Sequence, residues 1–159
     1  SDWFDMDMVE YCAKQLPNYN FVMIGATFGC DISYAEKIEN IHFLGEIPYK
    51  ELTGYFSYFN VCLIPFKIIP LTLATNPVKF YEYISAGKPV VSVELPELIP
   101  YNEFCYLAKD KDDFCIKIDE ALHEKSQSKI EDRMKLAKEN SWNNRAEEIY
   151  INIRKYNGQ

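Results

Sequence analysis

The chain has 159 residues, 48% apolar and 15% aromatic, with a formal net charge of −7. That is enough apolar material for one domain with a full core, and too much for a disordered segment. The acidic balance argues against a general nucleic-acid binder, which needs a basic footprint. Five cysteines without a CxxC pair or a histidine cluster argue against zinc and fit a reducing compartment. No apolar run is long enough to span a bilayer.

Asp5 to Leu16 carries Met8, Val9, Cys12, Ala13 and Leu16 at helical spacing, with Asp2 or Asp5 as cap and Pro17-Asn18 as stop. Asn20-Phe21-Val22-Met23-Ile24-Gly25 reads as a buried strand ended by glycine. The polar stretch Ala26 to Asn40 holds one helical turn near Tyr34–Ile38, and Ile41 to Gly45 is a second strand. Pro48 opens a helix running to Tyr58. Val61 to Pro65 is a third strand, in which Cys62 serves as a small buried hydrophobe. Phe66 to Thr75, with Pro70 inside it, reads as a loop. A helix from Pro77 to Ala86, a fourth strand from Pro89 to Val93 and a short fifth from Phe104 to Leu107 follow. The remainder is helical, over Asp110–Glu124, Ser126–Asn140 and Trp142–Lys155, with Ser141 capping the last helix.

Apolar strands separated by helices describe an α/β fold. The expected form is a Rossmann-like, doubly wound parallel sheet with helices on both faces and a helical C-terminus. Ligands bind such sheets beyond the carboxyl ends of the strands, so Gly25, Gly45 and the Pro65–Asn76 segment should converge on one rim. Such a sheet ordinarily starts with a strand, whereas Ser1 leads straight into a helix. The expectation is therefore a single domain over 1–159, truncated at its N-terminus.

Asn76-Pro77-Val78-Lys79-Phe80-Tyr81-Glu82-Tyr83-Ile84-Ser85-Ala86-Gly87-Lys88-Pro89-Val90-Val91 concentrates the chemistry. A proline opens this helix, a glycine closes it and a buried strand follows at once. Pro77 leaves the Val78 and Lys79 N–H groups free at the positive helix end. Lys79 and Glu82, three apart, share a face. The lysine and the amides suit phosphate, and the carboxylate suits ribose hydroxyls. Thr75 and Asn76 are placed either to donate to phosphates or to cap the helix. For such a pair standing alone, a solvated surface ion pair is the ordinary reading.

This segment resembles the donor-binding signature of GT-B glycosyltransferases, of the group 1, family 4-like type found in bacterial surface-polysaccharide synthesis. Asn40-Ile41-His42-Phe43-Leu44-Gly45, Tyr49-Lys50-Glu51-Leu52, Val61-Cys62-Leu63-Ile64-Pro65-Phe66 and Ser141-Trp142-Asn143-Asn144-Arg145 follow the family's order. The resemblance implies half of a GT-B fold, holding the nucleotide-sugar site, with the acceptor domain outside this chain. It implies that Glu82 binds the ribose hydroxyls. Lys79, with the Val78 and Lys79 amides, would stabilise the leaving diphosphate. Gly45-Glu46-Ile47 would form the nucleobase edge, and Phe66 and Lys67 would line the loop near the sugar. The implied donor is a UDP- or GDP-sugar, handled without metal or other cofactor. The implied acceptor is a glycan or lipid-linked molecule, and the setting is cytoplasmic, at the inner face of the membrane. Ala74 stands where the family 4 pattern places a second glutamate. The family's arginine and lysine after the first strand are replaced by the region of Asp2-Trp3-Phe4-Asp5. The resemblance thus bears on donor binding and leaves retaining and inverting outcomes both open.

The expected function is that of a glycosyltransferase donor domain, inactive in isolation. The alternatives are a GT-B-related UDP-sugar epimerase and a non-catalytic nucleotide-binding or assembly module. His42, inside a strand, and His123, on an exposed helix face, form no triad with a serine or cysteine.

Overall fold

The computed structural model describes residues 1–156. Its elements run α1 (Met6–Gln15), β1 (Phe21–Ile24), β2 (Ile41–Gly45), α2 (Tyr49–Tyr58), β3 (Cys62–Ile64), α3 (Pro70–Leu73), α4 (Val78–Ser85), β4 (Val90–Val93), β5 (Tyr106–Ala108), α5 (Lys111–Leu122), α6 (Gln127–Glu139) and α7 (Trp142–Tyr156). Short 3₁₀ turns lie at Ala35–Lys37 and Pro96–Tyr101. Every expected helix and strand is present, with ends displaced by a residue or two.

Asp5 caps α1, accepting the Met8 N–H at 3.0 Å, so the nearer of the two candidate aspartates does the work. Asp110, Ser126 and Ser141 accept first-turn amides of α5, α6 and α7 in the same way. The expected loop from Phe66 to Thr75 is corrected: it contains the single turn α3. Pro70 presets that turn, and the buried Thr72 hydroxyl ties it to the Lys67 and Ile69 carbonyls at 2.5 and 3.0 Å. The fifth strand starts at Tyr106 instead of Phe104, because the Phe104 N–H closes back on Tyr101 O at 2.9 Å.

All strand pairs are parallel, and they form two ladders, β2-β1 and β3-β4-β5. β4 lies at the centre of the second ladder, and all four of its residues are buried. One helix layer over it is α4 with α6 packed behind; α5, with α1 beside it, also packs on this ladder. The core joins Val9 and Cys12 of α1, Phe80 and Ile84 of α4, Val90 and Val91 of β4, Leu95, Leu98 and Phe114. β1 and β2 are less enclosed than expected: only Phe21 and Ile41 are fully buried in them. No described helix is long and apolar enough to cross a membrane.

Candidate functional site

The site is built on the start of α4. Phe80 and Ile84, both fully buried, fix the helix against the sheet. That anchoring turns Lys79 and Glu82 outward, one helical turn apart. Lys79 Nζ donates to Glu82 Oε2 at 2.8 Å, with the lysine side chain 51% exposed and the glutamate 20%. The helix ladder opens with the Phe80 N–H donating to Pro77 O at 2.9 Å, ahead of which stand the Val78 and Lys79 amides. No side chain caps this end. The capping role considered for Thr75 and Asn76 is therefore not used. Thr75 Oγ1 donates to Leu71 O at 2.6 Å, and Asn76 Nδ2 reaches Glu97 Oε2 at 3.5 Å.

A cavity of about 620 Å³ opens beside this helix end. Thr75, Asn76, Val78 and Lys79 line it, together with Gly25, Pro65 and Phe66 beyond the carboxyl ends of β1 and β3. Gly25 N–H also donates to Gly45 O at 2.8 Å. Gly25 and Gly45 hold φ values of 128° and 70°, which side-chain-bearing residues rarely adopt, so each strand can turn sharply at this rim. The segments expected to converge there do so. Glu82 adjoins the cavity through its ion pair with Lys79. Glu46 is exposed and Ile47 half-buried, and neither contributes to the cavity wall; nor does Lys67. His42 Nε2 pairs with Asn20 Oδ1 at 2.9 Å at the surface, and His123 is exposed after α5, so neither histidine reaches the site. Among the described residues no group of histidine, cysteine or acidic side chains is arranged to hold a metal.

Three contributions lie outside the motif. Thr72 shapes the loop over the cavity through its three hydrogen bonds to residues 67 and 69. Trp3 and Phe4 enter the cavity wall from the segment ahead of α1. Arg145 of α7 stacks its guanidinium 4.5 Å from the centre of the Tyr81 ring, which neighbours Glu82. The hydroxyl and proline of Pro70-Leu71-Thr72 were a readable turn signal; the Arg145 contact spans 64 positions and leaves no local trace.

Chemically, the arrangement offers a cation, free amides at a positive helix end and an adjacent carboxylate on the wall of one cleft. That set accepts an anion and a hydroxyl-bearing group together.

The same fold occurs in solved structures of Anabaena Alr3699/HepE, one in complex with UDP and one with UDP and glucose. They superpose with TM-scores of 0.68 and 0.63 at 16% and 15% identity, over 86% of this chain. The chain is 28% identical, over 97% of its length, to TuaH of Bacillus subtilis (strain 168), a protein named as a teichuronic acid biosynthesis glycosyltransferase. It spans about 40% of the length of TuaH and 40–41% of HepE. The family model for glycosyl transferases group 1 matches residues 2–124, which take in both ladders and the α4 site, and the chain belongs to that family.

Proposed function

We propose that this chain is the donor-binding domain of a glycosyltransferase that moves a sugar from a nucleotide diphosphate sugar to a glycan or lipid-linked acceptor. The observation that carries the reading is the Lys79–Glu82 pair at the free amide end of α4, beside a cleft beyond the strand ends. HepE, with the same fold, has been crystallised with UDP, which supports a uridine nucleotide as the first ligand to try.

In this reading Glu82 accepts hydrogen bonds from the ribose hydroxyls, while Lys79 and the Val78 and Lys79 amides hold the diphosphate. Thr75 and Asn76 donate from the loop, and Gly45-Glu46-Ile47 lies toward the base. Transfer breaks the bond between the anomeric carbon and the diphosphate oxygen, and forms one from that carbon to the acceptor oxygen. The acceptor's proton leaves to a base or to the departing phosphate. Negative charge grows on the diphosphate as the first bond breaks. A lysine and a helix end that bind this charge more tightly at the transition state lower the barrier. The acceptor and its base belong to a second domain, so this domain alone binds donor without turnover. A cytoplasmic setting at the inner membrane face suits a soluble donor and a lipid-linked acceptor.

Calorimetric titration with UDP, GDP and ADP tests the reading. One nucleotide should bind saturably, and Glu82→Ala should weaken it by about 1.5–3 kcal/mol, the scale of hydrogen bonds to a charged group. Binding of none of the three would favour a non-catalytic module, a reading that Ala74, at the end of α3, makes specific. Unchanged affinity in Glu82→Ala would remove the ribose assignment.

A further inference from the structure

β1 and β3 each use one side only. Phe21 and Gly25 of the β1 segment donate to Asn40 O and Gly45 O, both at 2.8 Å, on the β2 side. By the two-residue alternation of a parallel strand, the Val22 and Ile24 peptide groups face away from β2. On β3, Cys62 N–H donates to Pro89 O at 2.9 Å on the β4 side, which turns the Leu63 and Pro65 groups the other way. β1 and β3 do not pair with each other. The 620 Å³ cavity runs between them, walled by Met23 and Ile24 on one side and Leu63 and Ile64 on the other. Among the described residues, the Val22, Ile24 and Leu63 amides have no backbone partner across this gap. Met23 and Leu63, apolar and inside the sheet, remain half-exposed. Interior main-chain groups are paired almost without exception in folded proteins, so two facing edges of this kind call for a partner.

We propose that the gap between β1 and β3 seats one further strand, an extended apolar segment running parallel to both and leading into α1. Its direction follows from the chain ahead of α1. The Asp5 N–H donates to Pro65 O at 2.8 Å on the gap side of β3, and the Lys67 N–H donates to Trp3 O at 2.8 Å. The Trp3–Asp5 segment therefore lies at the carboxyl end of the gap. A strand parallel to β1 would finish there, and α1 would carry the chain back to β1 as a right-handed crossover. Its composition follows from the walls: Met6, Met23, Ile24, Leu63 and Ile64 suit Val and Ile, as in a strand covered on both faces. The two ladders then become one sheet, in the order β2, β1, the added strand, β3, β4, β5. The similar proteins TuaH and HepE extend well beyond their matched regions. The apolar inner part of the cavity is thereby assigned to main chain, and the outer part around Thr75, Asn76 and Lys79 to ligand. This inference is independent of the functional reading.

The test joins Val-Ile-Val-Val-Ile directly ahead of Ser1 and compares three proteins: the 159-residue chain, the extended chain, and an extended control with proline as the middle residue of the added strand. Amide exchange is followed at Ile24 and Leu63, with Val91 as the folded reference. In the extended chain the Ile24 and Leu63 amides should exchange at least about tenfold more slowly, and the thermal midpoint should rise. The proline control should lose both gains, because it removes a ladder donor. Folding of the extended chain alone, with the shorter chain unfolded, is equally a supporting result. The proposal is overturned if Leu63 is as protected as Val91 in the unextended chain, or if extension leaves the two edges unchanged. A gain that survives the proline, or an extended chain that fails to fold, overturns it too.

Discussion

Arg133 is 1% exposed, and every direction of its guanidinium is answered. Nη1 and Nη2 donate to Glu124 Oε1 and Oε2 at 2.5 and 2.8 Å, and Nε donates to Phe104 O at 2.8 Å. The same carboxylate accepts the Tyr106 hydroxyl at 2.6 Å and lies 3.3 Å from Lys129 Nζ. Burial works against ionising Glu124, yet Arg133, Tyr106 and Lys129 together outweigh it and hold the carboxyl below its usual range. A carboxylate depressed in the folded state adds stability above its unfolded pKa, near 4.3, and loses it as pH falls through the folded value. Replacing it with Glu124→Gln leaves Arg133 buried with a weakened partner, at a cost of about 3–5 kcal/mol at pH 7. Urea unfolding at pH 7 and again well below pH 4.3 should show that cost shrinking in acid. A cost that stays constant would mean the charge plays no part. Nothing in the sequence marked this pair, because its partners sit on opposite sides of the turn between α5 and α6. Lys79 and Glu82 were readable for the opposite reason: three positions within one helix fix their neighbourhood before any tertiary contact forms.

Gly87 decides how α4 ends. Its φ is 71°, and a Cβ there would come within 2.7 Å of the Ile130 side chain on α6. Strain and overlap act together, so Gly87→Ala should destabilise by at least about 1–3 kcal/mol, measured as a shift in the denaturant midpoint with the slope preserved. A midpoint within error of the parent would show that α6 gives way freely. The glycine was readable as a helix stop, but its closeness to α6 was not, since Ile130 lies 43 positions on. Element ends were generally legible where Asp, Ser, Pro or Gly stood at them, as at Asp5, Pro77 and Ser126. α3 was hidden because four residues carry too little periodicity to register against a loop. α7 shows the limit of pattern in another way. Its apolar residues Ile149, Ile151 and Ile153 are spaced as if for packing, yet no described residue of this helix is buried.

Across the whole molecule, the order of strands and helices was readable and their lateral arrangement was not. Parallel strands pair with segments distant in sequence, and an apolar run reports burial without naming its neighbour. The rim where Gly25, Phe66 and Lys79 meet depends on that lateral arrangement. The division into two ladders also governs how the molecule comes apart. β3, β4 and β5 are held together by α4, α5 and α6 within one continuous stretch, residues 62–139. β1 and β2 are bound mainly to each other, and the helix between β2 and β3 buries no residue. Cooperativity should follow that boundary. In native-state exchange under mild denaturant, amides of residues 21–45 should open as a unit while those of β4 still report only global unfolding. A single common opening energy would show the ladders to be coupled through the core. With two opening units, the donor cleft lies across a seam. One wall then belongs to the more labile unit, and a ligand that touches both walls would act as a clasp, raising the stability of the weaker unit toward that of the stronger.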